Sequence, residues 1–230
     1  MSLFPGLIFD FDGLIADTES AIFQAWAELY RNHGHTLSLE DYVNCVGSTF
    51  ASFDPMAELE IRLGRAVEWE PVLAEKDARI RELHEPLGEM PGVRALLEEA
   101  RSAGVRCAVA SSSQATWVEP WLEKLALRPF FEVVRTRDGG LPAKPAPDLF
   151  LAAARDLGLA SADCLVLEDS RNGLKAAIAA GSPCVIVPSP VTKGSDFSGA
   201  AAVIESLHGT DLRRLGALGR GLPDPAAPMA

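Results

Sequence analysis

The stretch Leu7-Ile8-Phe9-Asp10-Phe11-Asp12-Gly13 decides the fold. Its first three residues form the short apolar run of a buried strand, and two acids two residues apart close it. Extended chain has a side-chain period of two, so both carboxyls point the same way. An ionised carboxylate is not left in an apolar interior without a partner or a metal. The segment therefore reads as a strand delivering two acids to one site. The plainer alternative is a strand that ends early, with two solvated acids in its turn. The rest of the chain favours the first reading, because matching polar groups follow three more strand-like runs.

After about residue 88, short apolar runs alternate with helical spacing. The expected strands are Val105–Ala110, Glu132–Val134, Cys164–Leu167, Cys184–Val187 and a weak one at Ala202–Ile204. The expected helices between them are Val93–Ala103, Ala115–Leu125, Pro147–Leu157 and Gly173–Ala180, with Gly104, Gly158 and Gly181 placed as C-terminal stops. Such alternation, with strands apolar throughout rather than every second residue, predicts an α/β fold: a parallel sheet covered by helices on both faces. Residues 17–87 have another texture. They contain helical stretches at Glu19–Asn32, Leu39–Cys45, Met56–Leu63 and Pro71–Glu85, and no convincing strand. Ile22, Trp26, Leu29 and Tyr30 make one stripe, the spacing of a helix-bundle core. These residues read as a helical subdomain inserted after the first strand, where it can cover the strand ends. The core domain is then 1–16 with 88–230. The Pro- and Gly-containing tail from about Leu215 reads as loosely held, and there is no internal repeat.

The chain has 230 residues, 48% of them hydrophobic, enough for a real core. Its formal charge is −11, from 21 basic and 32 acidic residues, which disfavours nucleic acid and anionic membrane as partners. A phosphorylated small molecule fits only if its site supplies local positive charge. Cys45, Cys107, Cys164 and Cys184 make no C-x-x-C, and the last three lie in apolar runs, as buried thiols of a reducing compartment do. Pro5 and Asp10 interrupt the N-terminus, so no signal peptide or span is evident, and a cytoplasmic protein is expected, a monomer or a weak homo-oligomer.

Open parallel sheets bind ligands at the carboxyl ends of their strands. Asp10 and Asp12 follow the first strand, Ser111-Ser112-Ser113 the second, Lys144 the third, and Glu168-Asp169-Ser170 the fourth. Each has a plain alternative: a serine run is often a helix N-cap, Lys144 before Pro145 a solvated lysine, Glu168-Asp169 a capping cluster. Their coincidence at successive strand ends is what those alternatives do not predict. Carboxylates without nitrogen or sulfur ligands suit a hard cation such as Mg²⁺. A lysine, a serine and backbone N–H groups at a helix start suit a phosphate. One carboxylate could attack phosphorus, and a second could protonate the leaving oxygen.

At these residues the chain resembles the haloacid dehalogenase superfamily. Its D-x-D-G signature is matched by Asp10-Phe11-Asp12-Gly13, followed by Leu14-Ile15-Ala16-Asp17-Thr18-Glu19; its second motif by Ser111; its third by Lys144 in Lys-Pro-Ala-Pro-Asp; its fourth by Glu168-Asp169-Ser170 with Asn172-Gly173 behind. The helical insertion is similar to the α-helical cap of the subgroup containing β-phosphoglucomutase and phosphoglycolate phosphatase. The resemblance implies a Rossmann-like three-layer core with a cap domain at 17–87. It implies Asp10 as the nucleophile that becomes an aspartyl-phosphate and Asp12 as general acid and base. Ser111 and Lys144, with backbone N–H groups near Phe11 and Ser112, would bind the phosphoryl group. Asp10, the Asp12 carbonyl and Asp169, with Glu168 directly or through water, would hold Mg²⁺.

Departures within the family bear on the reaction. Dehalogenases lack the second acid, here Asp12. The mutases carry a cap histidine where Ile22 stands and an arginine in the loop that here reads Val46-Gly47-Ser48-Thr49-Phe50. The first half of the cap has no lysine for a Schiff base. A phosphatase acting on a small metabolite such as a sugar phosphate remains, with Phe23, Trp26, Gly47, Ser48 and Thr49 expected to face the leaving group or, alternatively, to pack within the bundle. A β-phosphoglucomutase-like mutase and a non-catalytic phosphate-binding protein are the competing readings.

Overall fold

In the computed structural model, which describes residues 4–46 and 53–226, β1 (Gly6–Phe9) lies near the middle of a six-stranded parallel sheet. The other strands are β2 (Arg106–Ala110), β3 (Val133–Arg135), β4 (Cys164–Glu168), β5 (Cys184–Ile186) and β6 (Ala202–Val203), in the order β3-β2-β1-β4-β5-β6. β1 pairs with β2 on one side and β4 on the other, Phe9 lying opposite both Val109 and Leu167. The order turns back on itself at β1, so chain segments leave β1 and β4 toward opposite faces. This is where an open sheet leaves a crevice.

Side-chain alternation builds two cores from one sheet. Leu7, Phe9, Val109, Leu165 and Leu167 pack on one face, beneath α5 (Val93–Ala103), α6 (Ala115–Lys124) and α9 (Leu212–Leu218). Ile8, Ala108, Ala110 and Val166 pack on the other, beneath α7 (Asp148–Asp156) and α8 (Arg171–Ala180). The α/β class and the near-continuous apolar strands are thus explained together: both faces are buried. Boundaries shift from expectation by a residue or two, as helix and strand ends do.

The insertion between β1 and α5 is helical, as its spacing predicts: α1 (Thr18–Asn32), α2 (Leu39–Tyr42), α3 (Pro55–Leu63) and α4 (Trp69–His84). It has its own apolar core, in which Trp26, Leu29 and Tyr30 of the α1 stripe meet Leu37 and Leu59. The buried Tyr30 hydroxyl donates to the Pro55 carbonyl at 2.6 Å, tying α1 to α3. The Asp17 carboxylate caps α1 through Ser20 N–H, and Asp54 caps α3 ahead of Pro55. α4 starts two residues before Pro71, because proline is tolerated in a first turn. Hydrogen bonds join insertion to core: Lys124 Nζ donates to the His84 carbonyl at 2.9 Å, and Asn172 Nδ2 to the Val46 carbonyl at 2.9 Å.

The tail departs from expectation. Residues 215–219 do not hang loosely: Leu212, Leu215 and Leu218 are buried in the α5–α6 core. Asp211 caps α9 through Arg214 N–H at 2.7 Å, and Arg214 holds Asp224 at 2.8 Å. Glycine suggested looseness, but Gly219 marks close approach: a Cβ there would stand 2.7 Å from Leu165. Leu215→Ala should cost about 2–5 kcal/mol of folding stability, read from the midpoint of urea unfolding at unchanged slope.

Candidate active site

β1 ends where its ladder has one more bond to give, Asp10 N–H to the Leu167 carbonyl at 2.9 Å. That bond sets the Asp10 side chain beside the end of β4. The Lys144 ammonium, 1% exposed as a residue, reaches Asp10 Oδ1 and lies 2.7 Å from Glu168 Oε1. Its fourth side is the face of Phe150, 4.6 Å from the ring centre. The Lys144 loop is pinned to the end of β2, since Lys144 N–H donates to Ser112 Oγ at 3.1 Å. Glu168 is committed twice over: Oε1 takes Lys144, and Oε2 takes Asp169 N–H, Ser170 N–H and Ser170 Oγ at 2.8–3.0 Å. Gly173 on α8 makes room for it, since a Cβ there would fall 1.8 Å from the Glu168 carboxyl carbon.

Asp10, Glu168 and Asp169 bring one oxygen each to within 4.8 Å of one another, all buried. Three carboxylates face one ammonium, so full ionisation leaves negative charge unbalanced. Burial, reinforced at Asp169 by Glu168 and Asp10, pushes the Asp10 and Asp169 carboxyls well above the usual range. At Asp10 the Lys144 charge opposes that rise. Burial pulls the Lys144 ammonium down, but Asp10 and Glu168 outweigh it and hold the group above its usual value. An all-oxygen, over-negative, dry cluster fits a hard divalent cation. Gly13, at φ +89, abuts it: a Cβ there would stand 2.2 Å from Asp169 Oδ2.

Asp12 points elsewhere. Its Oδ1 accepts from Thr18 Oγ1 at 2.6 Å and Trp117 Nε1 at 2.8 Å; its Oδ2 accepts from Ser113 Oγ at 2.6 Å and more weakly from Ser111 Oγ at 3.5 Å. It thus faces a cleft of about 770 Å³ between core and insertion. Trp26, Ile22, Lys76 and Arg81 line it from the insertion, and Ser112, Ser113, Gln114, Trp117 and Arg137 from the core. The ring of Trp117 packs at a tilt against the buried His84, at 5.3 Å, and edge-on against Trp121, at 6.1 Å. His84 ends α4 and bonds the Thr18 carbonyl at 3.1 Å, so one aromatic cluster spans the junction of insertion and core.

The structure therefore gathers Asp10, Lys144, Glu168 and Asp169, and sets Asp12, Ser111 and Ser112 beside them. Trp26 lines the cleft and also packs in the insertion's core. Phe23 does not line it: it packs on Tyr42, ring centres 5.1 Å apart, in the insertion's core. The Phe11 ring lies in the sheet's core, leaving its backbone alone for a ligand. Gly47, Ser48 and Thr49 lie outside the described residues. From the insertion, α4 brings Lys76 and Arg81 to the cleft. Thr18, Ser113 and Trp117, which hold Asp12, had no role in the sequence reading. Thr18 and Ser113 sit in segments quoted there; Trp117 gave no signal, because nothing in an aromatic helix residue announces a donor to an acid 105 positions away.

Fold and site together set buried carboxylates around one buried lysine, at the switch point of a parallel sheet. The chain belongs to the haloacid dehalogenase-like hydrolase family, whose profile matches residues 7–187. It is 38% identical over 213 residues to YhcW of Bacillus subtilis (strain 168), covering 93% of this chain and 96% of that one. It is 32% identical over 188 residues to the fructose-1-phosphate phosphatase YqaB of Escherichia coli (strain K12), covering 80% and 96%. Among solved structures, a variant of CbbY from Rhodobacter sphaeroides in complex with xylulose-(1,5)bisphosphate superposes with a TM-score of 0.71 at 26% identity, covering 92% and 98%. No helix among the described residues is long and apolar enough to cross a membrane.

Glu19 lines the cleft with its carboxylate 3.3 Å from the Tyr42 hydroxyl that donates to it. Burial, then the Asp12 charge, pushes it up to about 8. A carboxyl raised on folding adds stability that is full below its unfolded value and is lost as pH rises through the folded one. Between about pH 4.5 and 8 the metal-free protein should therefore lose stability that the Glu19→Gln variant keeps, read as melting temperature against pH.

Proposed function

We propose that the protein is a Mg²⁺-dependent phosphatase that hydrolyses a small phosphorylated metabolite, a sugar phosphate in class, through an aspartyl-phosphate. The observation that carries this reading is the buried contact of Lys144 with Asp10 and Glu168, beside Asp169 and within reach of Asp12. Family membership, the fructose 1-phosphate in the name of YqaB and the sugar bisphosphate bound to the CbbY variant support it.

In this reading Lys144 keeps Asp10 ionised in a dry site. An Asp10 oxygen bonds to phosphorus as the ester P–O bond breaks, and Asp12 passes a proton to the leaving oxygen. Asp12, now a carboxylate, takes a proton from water; that water's oxygen attacks the aspartyl-phosphate, releasing phosphate and restoring Asp10. Ser111, Lys144 and the backbone N–H groups near Phe11 and Ser112 hold the phosphoryl oxygens. Asp10, Asp169 and the Asp12 carbonyl would hold a divalent cation, with Glu168 directly or through water, and that cation would supply neutralisation of the phosphoryl charge. Thr18, Ser113 and Trp117 are positioning residues that hold Asp12 toward the leaving group. Residues 17–87 act as a cap over the strand ends, excluding water while the ester breaks.

Asp10→Asn should abolish hydrolysis of p-nitrophenyl phosphate, and EDTA should do so reversibly, activity returning with added Mg²⁺; unchanged turnover in Asp10→Asn overturns the mechanism. Trp117→Phe keeps the ring against His84 and removes the N–H. It should lower kcat about tenfold, the worth of one hydrogen bond to a charged group, with KM unchanged. Isomerised hexose phosphate without phosphate release, in glucose 1-phosphate primed with glucose 1,6-bisphosphate, would instead make the protein a mutase.

A further inference from the structure

The two oxygens of Asp12 are held from different quarters. Oδ2 faces Ser113 and Ser111 at the end of β2. Oδ1 takes Thr18 Oγ1 at 2.6 Å and Trp117 Nε1 at 2.8 Å. An indole N–H only donates, so Oδ1 is fixed as an acceptor. A serine hydroxyl donates or accepts, so Oδ2 is the oxygen free to carry a proton, with Ser113 Oγ turning to accept it.

Both donors to Oδ1 meet one side chain. His84, the last residue of α4, is 5% exposed. Its Nε2 lies 3.1 Å from the carbonyl of Thr18, and its ring packs on Trp117 at 5.3 Å, tilted by 58°. Trp121 closes another side, edge-on at 5.4 Å. Burial pulls the ring below the ordinary histidine value, so at neutral pH and above it is uncharged. A carbonyl only accepts, so the one N–H of that neutral ring sits on Nε2 and is given to Thr18. His84 borders the cleft, but its donor is already spent.

The residue is itself anchored. Lys124 Nζ donates to the His84 carbonyl at 2.9 Å and the Glu85 carbonyl at 3.0 Å, and stands 4.3 Å from the centre of the Trp121 ring. Lys124 and Trp117 belong to the same helix, α6. The end of α4, the start of α1 and the Asp12-binding face of α6 therefore meet at one imidazole. A phenylalanine would fill that space, but it would leave the Thr18 carbonyl without this donor.

We propose that His84 is a positioning residue for proton transfer to the leaving group: its bond to Thr18 and its packing on Trp117 fix both donors to Asp12 Oδ1, and so aim Oδ2 at the leaving oxygen. This rests on the phosphatase reading, in which Asp12 passes its proton to that oxygen as the ester P–O bond breaks. It adds a side chain of the insertion on which the transfer depends.

The test is the dependence of kcat/KM on the leaving group, which reads the reaction through its first bond-breaking step. A residue that only supported the fold would change all esters by one factor. Three esters of similar shape serve as probes with Mg²⁺: p-nitrophenyl, phenyl and benzyl phosphate. Nitrophenolate leaves without a proton, phenolate less readily, and the benzyl alkoxide needs one. Asp12→Asn sets the reference and should lose more on benzyl than on p-nitrophenyl phosphate. His84→Ala should lose at least about tenfold more on benzyl than on p-nitrophenyl phosphate, the worth of one hydrogen bond to a charged group. His84→Gln, which keeps an N–H at the end of its side chain, should recover part of that difference. If the alanine variant fails to fold, His84→Phe carries the same comparison, with a difference of at least about threefold. An equal loss on all three esters, beside a selective loss in Asp12→Asn, overturns the role of His84. No selective loss in Asp12→Asn, or no hydrolysis of any ester by the unaltered protein, overturns the phosphatase reading and the proposal with it.

Discussion

A buried ammonium between two buried carboxylates holds this molecule's site together. Lys144 is as buried as the core phenylalanines, and a lone charge there would be untenable. It is tolerated because Asp10 and Glu168 flank it, and they in turn because Lys144 is there. Such a pair does little for stability beyond its own desolvation cost. Its effect is geometric. Three strand ends and one loop are brought to a common point, and Glu168 is locked by the turn into α8. Remove the lysine and the carboxylates repel; remove Glu168 and the lysine loses half its reason to stay. The remaining charge imbalance leaves room for a cation and a phosphoryl group.

Much of this was legible in the chain, for identifiable reasons. The apolar runs that become β1, β2 and β4 are buried on both faces, so their hydrophobicity is not diluted by alternation. Acids and a lysine at their ends stand out against such runs. Asp10, Lys144, Glu168 and Asp169 were visible on that ground, and α1 through its Trp26–Leu29–Tyr30 stripe. What was hidden depends on packing between distant segments. Trp117 holds Asp12 across 105 residues, and neither residue's neighbours report it. His84 looks like any histidine at a helix end until α4 and α6 meet around it. For Phe23, where facing the ligand and packing within the bundle were both open, α1 alone could not decide; its contact with Tyr42 is the second. The tail misled because its glycines suggested looseness, where at Gly219 close contact with Leu165 of β4 called for a residue without a side chain.

The two halves of the cleft divide the work by origin. Groups on the sheet side, Asp10, Asp12, Ser111 and Lys144, are anchored by ladder bonds and buried charge, and they are the ones whose chemistry tolerates least displacement. Groups on the insertion side are carried on α1 and α4, which have a separate apolar core, and the insertion touches the sheet domain through bonds such as Lys124 to His84 and Asn172 to Val46. Selectivity can therefore vary on the helices while the reacting groups keep their places on the strands. The aromatic cluster of His84, Trp117 and Trp121 is the exception, for it connects the end of α4 to the acid that faces the leaving group.

The strand order has a consequence for how the molecule comes into being. β1 is made first, yet its second edge is filled by β4, which begins at residue 164. A nascent chain emerging from the ribosome therefore holds an apolar strand with one open side until most of the protein has been translated. Unpaired edges of that kind recruit other chains. The same arrangement that sets the first-made carboxylate against the late-made one obliges the growing polypeptide to shield its opening segment in the meantime.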